Sequence, residues 1–255
     1  MIGVADYFSG NQTAAEQNLL DATKLFDNER HADHAATHGL DPYCQALSTL
    51  ALIQWTCGKE QDALRDADMA LVRAEAVDHP FSLSQTHAML AFLHQMRNDL
   101  ERTRAHSLAA ATIAGEMAFP YIEASEHARQ GWVEVQEGSV ATGLAKIEKG
   151  IELYRETGAT GGLTAILATL SEAHVQSGNP IQGLQCIEEA LELAEARGEA
   201  FYLPELLRLR GEAVMATGPG SESAARDAFE QAIQAADDQN CEVWRKRSQE
   251  RLAAL

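Results

Sequence analysis

The amino-acid sequence predicts an all-α superhelix, a solenoid of antiparallel helix pairs that repeat about every forty residues. Three observations predict it. Gly58, Gly138, Gly178 and Gly218 stand on one lattice of forty residues, with Asn98 at the vacant point. Further series of small residues keep register with that lattice. Apolar residues between these marks recur at helical spacing, and no segment alternates apolar and polar residues as a half-buried strand does.

The lattice residues mark helix ends, because glycine, and to a lesser degree asparagine, adopts the left-handed conformation that closes a helix. Gly10 lies 48 before Gly58, which implies an insertion of eight residues. Seven residues before each turn come Gly3, Ala51, Ala91, Gly131, Ser171 and Gly211. Five after it come Ala15, Ala63, Thr103, Gly143, Gly183 and, after a two-residue insertion, Ala225. Seven further on are Ala22, Ala70, Ala110, Gly150, Ala190 and Ala232. Alanine is common in this chain, so a single series carries little weight; three in register do. Each unit reads as a helix A, a tight turn and a helix B that pack closely through small residues. Leu163, Ile166, Leu167 and Leu170 step along one helix A; Leu184, Ile187, Leu191 and Ala194 along its helix B; Leu144, Ile147, Ile151 and Tyr154 along the preceding helix B. The expected organisation is one solenoid over 1–255. It comprises a partial pair at 1–27, a His-rich insertion at 28–40, five pairs at 41–77, 81–117, 121–157, 161–197 and 201–237, and a closing helix at 241–255.

Lys and Arg number 20 against 38 Asp and Glu, a net charge of −18. Such a surface repels phosphate backbones and anionic headgroups, which argues against nucleic acid or membrane partners. No run of ~18 apolar residues occurs. The start, MIGVADYFSGNQ, lacks the basic segment and apolar core of a signal peptide. Cys44, Cys57, Cys186 and Cys241 form no CxxC pair and read as free thiols, so a cytoplasmic protein is expected.

Small residues twelve and then seven apart around a helical turn resemble the tetratricopeptide (TPR) family, whose usual repeat is ~34 residues; the longer unit here implies longer helices. The segments HGLDP (38–42), HPFSL (79–83), LHQMR (93–97), QGW (130–132) and LPELLRLRGE (203–212) are similar to a narrower group. That group is the C-terminal TPR region of bacterial proteins that join a class III adenylate or guanylate cyclase to a signalling ATPase. The repeat type also resembles the sensor arm of maltose-regulator-like activators. The resemblance implies a bacterial signalling arm that receives a protein or small-molecule signal. No G-x-x-x-x-G-K-[ST] phosphate loop is present. No nucleophile–base order or paired-carboxylate motif points to catalysis, and no cofactor is implied.

Helices A of such arrays line the concave face. That places Leu52, Trp55, Phe92 and Trp132 on an apolar groove floor in the first three units, with Gln95 and Gln136 beside it. The last two units place Glu172, Glu205, Arg208 and Glu212 on a polar floor. Aromatic anchors in a concavity suit a protein, peptide or small-molecule partner; space-filling between helices is the other role open to Phe92 and Trp132. Self-association into a homodimer is the alternative to ligand binding. His31, His34 and His38 form H-x2-H-x3-H, a spacing metal ligands use, but a surface linker explains them better and no metal is assigned. His94, Glu134 and His174 occupy equivalent places in three successive helices A and are expected to make interhelical polar contacts. Met1 falls in mid-helix and the chain stops just past Ala253, at a helix-A position. These facts lead to the expectation of a piece of a larger protein, with a cyclase or ATPase portion upstream and fraying greatest at 1–8 and 250–255.

Overall fold

The computed structural model describes residues 2–27, 30–31 and 33–255; Met1 lies outside them. Among the described residues the chain forms fourteen helices and no strand. They are α1 (Ile2–Phe8), α2 (Gln12–Lys24), α3 (His34–His38), α4 (Pro42–Thr56), α5 (Glu60–Val77), α6 (Pro80–Met96), α7 (Leu100–Met117), α8 (Pro120–Gln136), α9 (Val140–Glu156), α10 (Leu163–Gln176), α11 (Pro180–Arg197), α12 (Leu203–Ala216), α13 (Glu222–Asp238) and α14 (Glu242–Ala253). The fold is a TPR-like αα-superhelix. Helices of 14 to 18 residues in α4 to α13 fill the forty-residue unit.

Local chemistry sets the helix ends. Proline opens α4, α6, α8, α11 and α12, where its missing N–H would have no partner in any case. The carboxylate of Asp41 accepts from the backbone N–H of Tyr43 and Cys44, and Arg73 pairs with it at 2.8 Å. At the lattice turns Gly58, Gly138, Gly178 and Gly218 all have positive φ, and Asn98 takes φ 60° in the same role.

The small residues mark the closest approaches. A Cβ added to Gly131 would lie 2.6 Å from the carbonyl oxygen of Gly143, and one added to Gly150 would lie 2.7 Å from the backbone nitrogen of Ala128. α8 and α9 therefore touch backbone to backbone. Ala51, Ala63, Ala70, Ala91, Ala110, Ala190, Ala225 and Ala232 are fully buried at the corresponding contacts. Ala22 departs from the series and is exposed. Its partner helix α1 has seven described residues, against thirteen in α2.

The ends of the superhelix meet. The backbone N–H groups of Ala200 and Phe201 donate to the carbonyl of Phe8, at 2.7 and 3.2 Å. The rings of Tyr7 and Phe8 pack on Phe201 with centroids 5.0 and 5.4 Å apart. Asn240 donates to the Thr13 hydroxyl at 3.0 Å. Trp244, Cys241 and Ala236 share one buried cluster with Tyr7, Leu19, Leu50 and Trp55. Residues 2–8 are thus not the neighbourless end expected of an open array, because the last unit supplies their neighbours.

Candidate functional site

Closure leaves the inner face as two chambers stacked along the A helices. One, of about 290 Å³, lies toward the N-terminal ends of α6, α8 and α10 and is walled by Tyr7, Phe8, Phe92, Tyr121, Ile166 and Phe201. The other, of about 240 Å³, lies toward their C-terminal ends among Trp132, Glu172, Glu205, Arg208 and Arg247. Gln95 and Thr169 border both. Gln95 Nε2 donates to Thr169 Oγ1 at 3.1 Å, and Gln95 Oε1 accepts from Arg129 Nη1. This bridge forms a waist between the two spaces.

The first chamber is mainly apolar, with one ion pair and a few neutral polar side chains in its wall. Arg129 Nε donates to both oxygens of Glu126, at 3.2 and 3.0 Å, and its guanidinium lies 5.3 Å from the Phe92 ring centre. Burial pushes the Glu126 carboxyl up, while Arg129 pulls it back toward the ionised form. The second chamber is polar. The Trp132 indole N–H donates to Glu172 Oε2 at 3.0 Å, and burial raises the Glu172 carboxyl. Arg208 grips Glu205 through Nε and Nη2, at 2.8 and 2.9 Å, and Glu212 through Nη1 at 2.9 Å. Arg247 Nη1 lies 3.6 Å from Glu205.

The residues expected on the groove fall into three groups. Leu52 and Phe92 border the apolar chamber, Trp132, Glu172 and Arg208 the polar one, and Gln95 both. Trp55 borders neither, since Arg247 of the returning α14 covers its ring at 5.3 Å. Glu212 sits outside the lining, paired with Arg208 and Arg251, and Gln136 reaches Gln176 at 3.4 Å beyond both chambers. The division between apolar and polar therefore runs along the helices rather than from unit to unit. Sequence reasoning missed Tyr7, Phe8, Tyr121 and Phe201, which stand on α1 and at helix starts, and the Glu126–Arg129 pair. An i, i+3 acid–base pair one turn before Gly131 was the available signal for the latter.

The polar ladder is made differently from a column of A helices. Each rung joins helix A to a residue twelve further on, in helix B of the same unit. Gln54 donates to Asp66 at 2.8 Å, His94 stacks on His106 with ring centres 5.5 Å apart, and Lys146 donates to Glu134 at 2.5 Å. His174 instead lies 4.0 Å from Glu148 of the preceding helix B. His31, His34 and His38 pack ring against ring, at 4.5 and 5.1 Å. Among the described residues no group of three or more His, Cys, Asp or Glu is placed to hold a metal ion, and no helix is long and apolar enough to cross a membrane.

No protein-family model matches the chain. An uncharacterized protein of Rhizobium meliloti (strain 1021) is 24% identical over 259 residues, an alignment that covers 100% of this chain and 25% of that protein. The chain thus spans about a quarter of that relative's length. Solved structures share the fold, among them the following three. A Rap protein complexed with competence and sporulation factor has a TM-score of 0.62 at 12% identity, over 99% of this chain and 72% of that one. BtubC (BKLC) from P. vanneervenii has a TM-score of 0.54 at 15% identity, over 90% and 91%. A signal transduction ATPase with numerous domains and a tetratricopeptide repeat sensor, from Pyrococcus horikoshii, has a TM-score of 0.52 at 16% identity, over 93% and 41%. At these identities the likeness shows the fold: a TPR-like helical repeat.

Proposed function

We propose that this chain is a non-catalytic receiving arm of a larger bacterial signalling protein. It takes a peptide, a protein segment or a small molecule on its inner face. The observation that carries this reading is the pair of chambers bordered by Phe92, Gln95, Trp132 and Thr169, where aromatic walls meet a few buried polar groups. The Rap structure, solved with competence and sporulation factor, supports a ligand on such a superhelix. The Pyrococcus ATPase supports a repeat of this type as a sensor within a longer chain. The fourfold greater length of the Rhizobium relative fits an attached effector portion, which the resemblance to cyclase–ATPase proteins makes a cyclase or an ATPase.

Panning a phage-displayed random peptide library on the full chain tests this. Enriched peptides are expected to lose about tenfold or more in affinity, equivalent to ~1.4 kcal/mol, toward Phe92→Ala and toward Thr169→Trp, which fills the waist. Helical circular dichroism should stay intact in both. Peptides indifferent to both substitutions would place recognition elsewhere. The second reading, a self-association module, draws on Val72 and Leu108, exposed apolar residues on the outer helices α5 and α7. Light scattering showing a dimer that Val72→Glu and Leu108→Glu dissolve would favour it.

A further inference from the structure

Most hydrogen-bonding side chains around the apolar chamber are already partnered, and the one charged donor among them is not fully used. The Tyr121 hydroxyl is committed to Gln85, the Tyr154 hydroxyl to the carbonyl of Gly161, and the Ser125 hydroxyl to the carbonyl of Ile122. Gln95 is held at both ends. Arg129 spends Nε on Glu126 and Nη1 on Gln95, while its Nη2 group has no acceptor among the described residues. A guanidinium carries five N–H donors and accepts nothing, so what Arg129 offers the chamber is a donor, with the Tyr7 hydroxyl and the Gln85 amide nitrogen as neutral groups beside it.

Charge decides what that donor takes. The Glu126 side chain is wholly buried and that of Arg129 is 11% exposed. Glu126 receives Nε on both oxygens from a group that does not release its proton, so the pair is ionised and neutral as a unit. An anionic ligand would leave one uncompensated negative charge among aromatic walls. A cationic one would meet a guanidinium and no free carboxylate. Either costs far more than a neutral acceptor does. The volume of about 290 Å³ stands at the lower end of the range for small-molecule sites.

We propose that the apolar chamber binds an uncharged small molecule with an aromatic or aliphatic body and one carbonyl group, which accepts a hydrogen bond from Arg129 Nη2. The proposal rests on the inner face being a receiving surface, and it names the class of ligand.

Three probes of similar length test it by titration calorimetry on the full chain at neutral pH: methyl phenylbutanoate, the phenylbutanoate anion and pentylbenzene. Wild type is expected to bind the ester about tenfold more tightly than either of the others, as a hydrogen bond to a charged donor allows. Glu126→Gln removes the counter-charge, and the anion should then become the tightest of the three. Should that variant fail to fold, the double variant Glu126→Gln/Arg129→Met keeps the chamber neutral without the donor, and ester and pentylbenzene should converge. Preference of wild type for the anion overturns the proposal. So does an unchanged order in folded Glu126→Gln, or a persisting ester preference in the double variant. Failure of all three probes to bind wild type also overturns it. Phage peptides that still depend on Phe92 would then leave the receiving-arm reading standing on its own.

Discussion

The junctions within the array and the junction that closes it are built on different principles. Within a unit such as α8–α9, backbone approaches backbone, because Gly131, Gly143 and Gly150 have no side chain of their own, and Ile147, Val135 and Ala128 pack directly over them. Where the last unit meets the first, contact is made by large rings, Tyr7, Phe8 and Phe201, and by a few hydrogen bonds, from Asn240 to Thr13 and from Ala200 and Phe201 to the carbonyl of Phe8. The first kind tolerates no added volume. The second tolerates no lost volume. An array thus sets its pitch with small residues and its closure with large ones, and both act on the chambers, since α1 and Phe201 form part of the apolar wall.

The largest expected effect tests the first kind. A side chain at 131 meets the carbonyl oxygen of Gly143 at 2.6 Å, and backbone cannot rotate away as a side chain can. Gly131→Leu is expected to destabilise by about 3 kcal/mol or more, lowering the melting temperature by roughly 6 °C or more for a chain of this size. An unchanged melting temperature would show that α8 and α9 do not approach so closely.

A smaller and more local effect tests the second. Phe201 is 3% exposed, and Phe201→Ala removes its ring from contact with Tyr7, Phe8 and Phe92. The local cost is about 3 kcal/mol, the lower end for a buried Phe. Hydrogen exchange should show it chiefly in residues 2–24, with protection in α8 to α11 little changed. Equal loss of protection along the whole chain would mean that closure and array unfold as one unit, and would erase the distinction drawn between them.

The same difference explains what was legible in the sequence. Packing within units repeats, so Gly131 and Gly143 announce themselves through Ala51 and Ala63, or Ala91 and Thr103, in the same register. Closure does not repeat. Phe8 and Phe201 each occur once in that role, nearly two hundred residues apart, and neither propensity nor period links them. Leu52, Phe92, Gln95, Trp132, Glu172 and Arg208 reach the chambers because their helix-A register places them inward. Trp55 has comparable register and is covered, because Arg247 comes from a helix that only closure brings near. The rungs between helices A and B were half legible. Their A-side members, His94, Glu134 and His174, stood out as a column. The partners twelve residues on, His106 for His94 and Lys146 for Glu134, did not, since they share no single character, and His174 faces Glu148 of the preceding helix B instead.

That variety among rungs yields the smallest effect, and it separates one internal junction from the next by pH. In α8–α9 the rung is the Glu134–Lys146 ion pair. In α6–α7 it is His94 on His106, with His87 Nδ1 3.0 Å from His106 Nδ1. Burial first, and the neighbouring histidines second, hold His94 and His106 down to about 4. His87 is lowered by burial as well. The charged groups facing them are Arg97 and Arg102, which add to the lowering, and Asp68 and Asp99, which oppose it. A histidine lowered in the folded state binds its proton more readily in the unfolded chain. Its contribution is therefore complete above about 6.5 and is lost as pH falls from there toward about 4. Glu126 and Glu172, raised by burial, act in the opposite sense over the lower part of that window, because the folded state takes up their protons first. They are common to wild type and a histidine variant, so the comparison cancels them. Between pH 7 and pH 4.5 wild type is expected to lose about 1–2 kcal/mol more than His106→Asn, after allowance for the partial exposure of the ring. Urea melts at the two pH values measure this directly. Parallel losses in the two proteins would mean that the His94–His106 rung carries its protons at no cost, and that the α6–α7 junction is no more sensitive to acid than α8–α9.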